Sequence, residues 1–132
     1  MYTVAMDEQK RRVVTTWGLR VDDASLMGYQ RSVWGDPAVH GFDEVIDFRG
    51  LEQIEVTTEG LEAVAHLAAG MDPQAGKSRF AIVVGDKLSY GLSRMYEAFR
   101  QMNETASRDV MVFHRLEDAL AWLDGRGKDH GE

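Results

Sequence analysis

Phe80–Met102, FAIVVGDKLSYGLSRMYEAFRQM, decides how the chain is read. Its first five residues form an unbroken apolar run, too short to span a membrane and of the length of a buried strand. The AIVV within it predicts burial on both faces, as in a central parallel strand. A GDKLSYG connection follows, with Gly91 where the chain turns into a helix. That helix carries Leu92, Met95, Tyr96, Phe99 and Met102 on one side, and Arg94, Glu97, Arg100, Gln101 and Glu104 on the other. In an open α/β sheet such a strand-to-helix junction is where ligands usually bind.

The flanking sequence repeats this alternation. Tyr2–Met6 and Arg12–Trp17 are short, β-branched and aromatic, and the polar residues between them suit a hairpin; Gly18 is expected to end the second strand. Asp22 or Asp23 can cap a first helix, which Gly35-Asp36-Pro37 stops. Glu44–Phe48 reads as a third strand broken by Arg49-Gly50, with LEQIEV after it as an extended or short-strand segment. Thr57 or Thr58 caps a second helix whose buried face is Leu61, Val64, Ala65, Ala68 and Met71, ending at Gly70 and Asp72-Pro73. Ser78–Val84 is the fourth strand and Val110–Phe113 the fifth. Leu116, Ala119, Leu120 and Leu123 mark a closing helix. The order ββαβαβαβα predicts an α/β fold: a five-stranded mixed sheet with an N-terminal hairpin and about four helices. Residues 1–124 form one domain of the usual size, and 125–132 are a polar, glycine-rich tail expected to fray.

Composition narrows the chemistry. The net charge of −7 argues against a nucleic-acid partner, which needs a basic patch to displace counterions. With no cysteine, disulfides and thiolate-ligated metals are excluded. The N-terminus lacks the pattern of a secretion signal, so a cytoplasmic protein is expected. Gly76-Lys77-Ser78 resembles the end of a phosphate-binding loop, but Met71 stands where the first glycine belongs, and the segment enters a strand instead of a helix. The four histidines are dispersed, without metal-ligand spacing. No nucleophile elbow or Ser-His-Asp set is visible. The sequence therefore implies no cofactor, no metal and no catalytic residue, and a non-enzymatic protein is expected; an enzyme would have to assemble its groups from distant positions.

Apolar and aromatic residues are the better candidates for a site. Met27, Trp34, Phe48, Tyr90, Gly91, Leu92, Met95 and Phe99 are candidates to line an apolar pocket beside the helix that follows FAIVV. Tyr90-Gly91 would mark its opening, where unpaired helix N–H groups could meet a polar head. Asp47 and Arg49 flank Phe48 and can pair with each other, either closing a turn or anchoring a ligand at the pocket mouth. The competing explanation is that the apolar residues simply fill the core.

GDPAVHGFDEVIDFRG, the threonine-capped helix, FAIVVGDKLSYGLSRMYEAF and VMVFHRLEDALAWL together resemble the SpoIIAA-like family of small bacterial proteins, related to STAS and CRAL-TRIO domains. The resemblance spans residues 1 to about 124. It implies an apolar or lipid-like ligand, at most peripheral membrane contact, and a protein partner if the STAS side of the relation holds. In the sporulation relatives a serine after a strand, at a helix start, is phosphorylated. Here DFRG offers no hydroxyl, and Thr57 and Thr58 come later. The leading expectation is a small domain binding an apolar or lipid-like molecule; the alternative is a protein-interaction or regulatory module. Self-association through an exposed helix face or sheet edge, giving a homodimer, is also expected of so small a domain.

Overall fold

A computed structural model describes residues 1–75, 77–102 and 108–125, the side chains of 73–75 excepted. Five strands alternate with four helices: β1 (Tyr2–Asp7), β2 (Arg12–Asp22), α1 (Asp23–Trp34), β3 (Asp43–Glu55), α2 (Thr58–Ala75), β4 (Ser78–Val83), α3 (Lys87–Gln101), β5 (Arg108–Phe113) and α4 (Leu116–Leu123), with a 3-10 turn at Pro37–Val39. The sheet order is β1-β2-β3-β4-β5. β1 pairs antiparallel with β2, and every later pair is parallel. The predicted α/β class and element order are those observed. Past Gly125 the expected frayed tail lies outside the described residues, as does Gly76 of the GKS turn.

Strand alternation sorts the side chains into two layers. Val13, Trp17 and Val21 of β2, Ile46 of β3, Phe80 and Ile82 of β4 and Val110 of β5 face one way. They pack against Tyr29 and Trp34 of α1, Leu61, Val64 and Ala65 of α2, and Tyr96 of α3. Val45, Ala81 and Val83 face the other way, where Ala119, Trp122 and Leu123 of α4 cover them. The AIVV run is buried throughout, as its uninterrupted apolarity requires.

Three boundaries differ from the sequence reading, each for a local reason. β2 continues through Gly18 by way of two bulges, between Thr16 and Gly18 and between Leu19 and Arg20, and Leu19 takes φ 62° there. β3 likewise continues through Arg49-Gly50 to Glu55. Gly18 and Gly50 lie opposite each other, and a Cβ on Gly50 would come within 3.2 Å of the Trp17 carbonyl oxygen. Gly50 permits close approach of the two strands instead of ending one, whereas a Cβ on Gly18 would meet nothing within 4 Å and the chain passes that residue at a bulge. α2 runs past Pro73 to Ala75, with the proline in its last turn.

The helix starts are specified locally. Asp22 is the N-cap of α1, and its carboxylate accepts the Ser25 N–H at 2.8 Å while the Ser25 hydroxyl accepts the Asp22 N–H at 2.9 Å. The adjacent Asp23 reaches across to α2. Its Oδ1 accepts the Thr57 N–H at 2.9 Å, its Oδ2 accepts the Thr57 hydroxyl at 2.6 Å, and Thr57 Oγ1 accepts the Gly60 N–H at 3.0 Å. A Cβ on Gly60 would fall 2.0 Å from the Asp23 Cγ, so only glycine admits this carboxylate. Asp23→Ala removes the carboxylate that holds the Thr57 cap in place and the link from α1 to α2 together. A loss of about 1–2 kcal/mol is expected in urea unfolding; an unchanged midpoint would show that the link contributes nothing.

Candidate functional site

Beneath α1, α2 and α3 lies a cavity of about 70 Å³, partly open to solvent. Its walls are almost wholly apolar: Val21, Leu26, Ile46, Phe48, Leu51, Ile54, Leu61, Val64, Phe80, Ile82 and Leu92 contribute, with Gln30, Glu44, Ser89 and Ser93 as polar members. β3 matters most to it, because its unexpected length carries Leu51 and Ile54 out along the same wall as Ile46 and Phe48.

At the strands' N-terminal end the cavity borders a buried polar cluster. Glu44 Oε2 accepts from the Tyr29 hydroxyl at 2.8 Å and from Trp34 Nε1 at 2.9 Å, and Oε1 accepts from Arg108 at 2.9 Å. The Arg108 guanidinium also donates to Ser78 Oγ at 2.8 Å and lies 4.3 Å over the Trp34 ring. Thr15 Oγ1 lies 2.9 Å from the Tyr29 hydroxyl. Burial pushes the Glu44 carboxyl above its ordinary range, against the opposing pull of Arg108. Tyr29 is pushed well up by burial and then by the Glu44 charge, so its phenol stays a donor. A second buried pair joins α3 to α2, where Arg100 donates to both Asp72 oxygens at 2.7 Å.

The predicted site residues divide into groups. Phe48 and Leu92 line the cavity. Met27, Met95 and Phe99 are partly buried against the main core without lining it, and Trp34 belongs to the Glu44 cluster. Tyr90 stacks on His114 with ring centroids 5.1 Å apart and accepts from Arg94, while Gly91 is exposed. α3 begins at Lys87, capped by Asp86, so Tyr90-Gly91 stand a full turn inside it, and the Tyr90 N–H is already bonded to the Asp86 carbonyl. The expected helix start at Gly91 is corrected accordingly. Asp47 and Arg49 do pair, at 2.8 and 3.0 Å, but they alternate with Phe48 and so turn to the face opposite the cavity. Burial alone would raise the Asp47 carboxyl; the Arg49 hydrogen bonds outweigh it and hold the group below its ordinary range.

α3 is also rotated from its expected facing. Ser89, Ser93, Tyr96 and Arg100 form its innermost row, and Met102 is 78% exposed. Two serines keep the helix close to the sheet, and Asp72 makes a buried Arg100 tolerable. Strand parity held the missed signal for Glu44. It shares a face with Ile46 and Phe48, as Arg108 does with Val110 and Val112, so two opposite charges on one buried face were due to meet. Among the described residues no cluster of three or more His, Cys, Asp or Glu has the form of a metal site, and no helix is long and apolar enough to cross a membrane.

The layered sheet with three helices on one face and one on the other is a SpoIIAA-like fold. A protein from Shewanella loihica PV-4, described as an uncharacterized member of the DUF3478 family with that fold, matches at a TM-score of 0.57 and 14% identity, over 92% of this chain and 93% of its own. An anti-sigma factor antagonist from Mycobacterium paratuberculosis matches at a TM-score of 0.53 and 18% identity, over 94% and 95%. No family model matches the sequence, and no curated protein matches it significantly. Neither structural match bears on a relation to CRAL-TRIO domains.

Proposed function

We propose that the protein is a regulatory module that works by binding another protein, without chemistry of its own. The observation that carries this reading is the fold held in common, over almost the whole chain, with an anti-sigma factor antagonist. The start of α2 is the docking position that this reading favours. Because β3 runs to Glu55, Thr57 and Thr58 follow a strand closely and stand at a helix start, the kind of place where the sporulation relatives carry their phosphorylated serine. Thr57 is engaged by Asp23 and Gly60, whereas Thr58 is exposed beside Glu59. A negative charge there favours the N-terminus of α2 and alters the surface without breaking the cap. Affinity capture from the native cell lysate should return a protein that Thr58→Glu binds at least tenfold more weakly or more tightly. An identical set of bound proteins for both forms, or none, would overturn the reading. A cytoplasmic site of action accompanies it.

The cavity supports a second reading, an apolar or lipid-like ligand with at most peripheral membrane contact. At about 70 Å³, it is roughly half the ~150 Å³ apolar cavity that accepts benzene, which fits a short alkyl end better than a whole lipid. Native mass spectrometry and thermal shift across short- and medium-chain fatty acids separate the two readings. A shift that disappears in a cavity-filling Val64→Phe variant favours the ligand, and no shift with any of them counts against it.

A further inference from the structure

The two edges of the sheet are guarded differently. β5 opens on Arg108 and Asp109 and is packed by α3 and α4. β1 carries no charge from Tyr2 to Met6, and its side chains past Tyr2 are exposed. An uncharged, exposed edge strand is a template for another strand.

The register shows which backbone groups are on offer. Gly18 N–H donates to the Met1 carbonyl at 3.0 Å while Tyr2 faces Trp17. That bond makes Tyr2–Trp17 a pair without mutual hydrogen bonds, and antiparallel alternation then does the same for Val4–Thr15 and Met6–Val13. The N–H and C=O groups of Tyr2, Val4 and Met6 therefore point away from β2, out along the edge. The side chains of these three residues share the face of Trp17, Thr15 and Val13, yet Val4 and Met6 are 41% and 43% exposed.

We propose that this edge pairs with β1 of a second copy of the chain, antiparallel, about a two-fold axis at Val4. In that register Tyr2 lies opposite Met6 of the other copy and Val4 opposite Val4. Every outward N–H and C=O then finds a partner, giving about six hydrogen bonds. The two sets of Tyr2, Val4 and Met6 form one apolar strip, and Thr3 meets Ala5 on the other face. Because Tyr2–Met6 is uncharged, two copies of net charge −7 bring no like charges together within the strand pair. A five-residue strand pair buries less than the ~1,200 Å² of stable complexes, so a weak, concentration-dependent dimer is expected. This surface is separate from the α2 start and does not depend on the regulatory reading.

Val4→Pro tests the inference cleanly. It deletes an outward N–H and leaves the β1–β2 bonds intact, a position where edge strands accept proline. Sedimentation equilibrium from about 10 μM to 1 mM should show concentration-dependent dimerisation of the wild type, weakened at least tenfold by Val4→Pro. A monomer throughout, or equal dimerisation of a folded Val4→Pro, overturns the proposal. The cysteine-free chain offers a second measurement that does not depend on how the proline is tolerated. In this register Thr3 and Ala5 of the two copies have Cα atoms about 4.5 Å apart, within disulfide range. A mixture of Thr3→Cys and Ala5→Cys proteins should oxidise to the mixed dimer in preference to either self-dimer. A statistical mixture would reject the register.

Discussion

Arg108→Met is expected to destabilise the protein by about 3–5 kcal/mol, because it leaves the Glu44 carboxylate buried without its cation. The desolvation cost of Glu44 is met in the native protein by Arg108, Tyr29 and Trp34 together. With the guanidinium gone, burial is opposed mainly by the Tyr29 and Trp34 hydrogen bonds, and the already raised pKa climbs further. An acid with a raised folded pKa binds its proton more tightly folded than unfolded, so it costs stability as pH rises from the unfolded value through the folded one. The defect in Arg108→Met should therefore be larger at pH 7 than at pH 5, since each proton taken up by the carboxyl as the pH falls removes the buried charge. Adding Glu44→Gln should recover part of the loss at pH 7, since an amide oxygen still accepts from Tyr29 or Trp34 without a charge. Urea unfolding of the three proteins at both pH values is the measurement. A defect independent of pH would mean that Arg108 acts by packing on Trp34 alone.

Trp17→Ala should cost a similar amount, about 3–5 kcal/mol, for an unrelated reason. Trp17 is wholly buried and sits among Tyr2, Tyr29 and Phe48, with ring centroids 4.8, 6.0 and 6.0 Å away. Its loss opens a void beside Phe48, a wall of the existing cavity, and removes the anchor of the β1 face. Among the described residues its Nε1 finds no hydrogen-bond partner, so the ring contributes as an apolar body. Trp17→Phe, which keeps an aromatic ring and removes an unpartnered N–H, should retain most of the stability. Equal losses for Phe and Ala in thermal unfolding would contradict that account.

Elements with a strong periodic signal were legible in the sequence; the corrections arose where one residue type serves two ends. Glycine read as a stop at Gly18 and Gly50, yet Gly18 lies at a bulge and Gly50 where two strands approach closely, and only their pairing across the sheet reveals it. The extra length of β3 then supplied Leu51 and Ile54 to a cavity wall that the sequence had ended at Phe48. On α3 the apolar stripe was plain, but Arg100 was assigned to solvent because its partner Asp72 lies on another helix. Pairings across the fold leave a mark in parity, as for Glu44 and Arg108, and none in local composition. The location of the cavity beside FAIVV and α3 was legible, and two of its walls, Phe48 and Leu92, were named in advance. Tyr90 and Gly91 were misplaced by a helix that starts four residues earlier, at Lys87.

The Asp23–Thr57 link gives the helical layer a mechanical character. α1 and α2 are latched at the end where the strands finish, whereas α2 and α3 are latched by Asp72–Arg100 near the opposite end. Staples at alternate ends make the layer a folding screen, and among the described residues no side-chain bridge closes the seam between the first turns of α2 and α3. It borders the cavity, which Leu61 of α2 and Ser89 and Leu92 of α3 line from its two sides. A protein docking at Thr58 would close the seam, and a molecule sliding into the cavity would part it, so the two events would oppose each other.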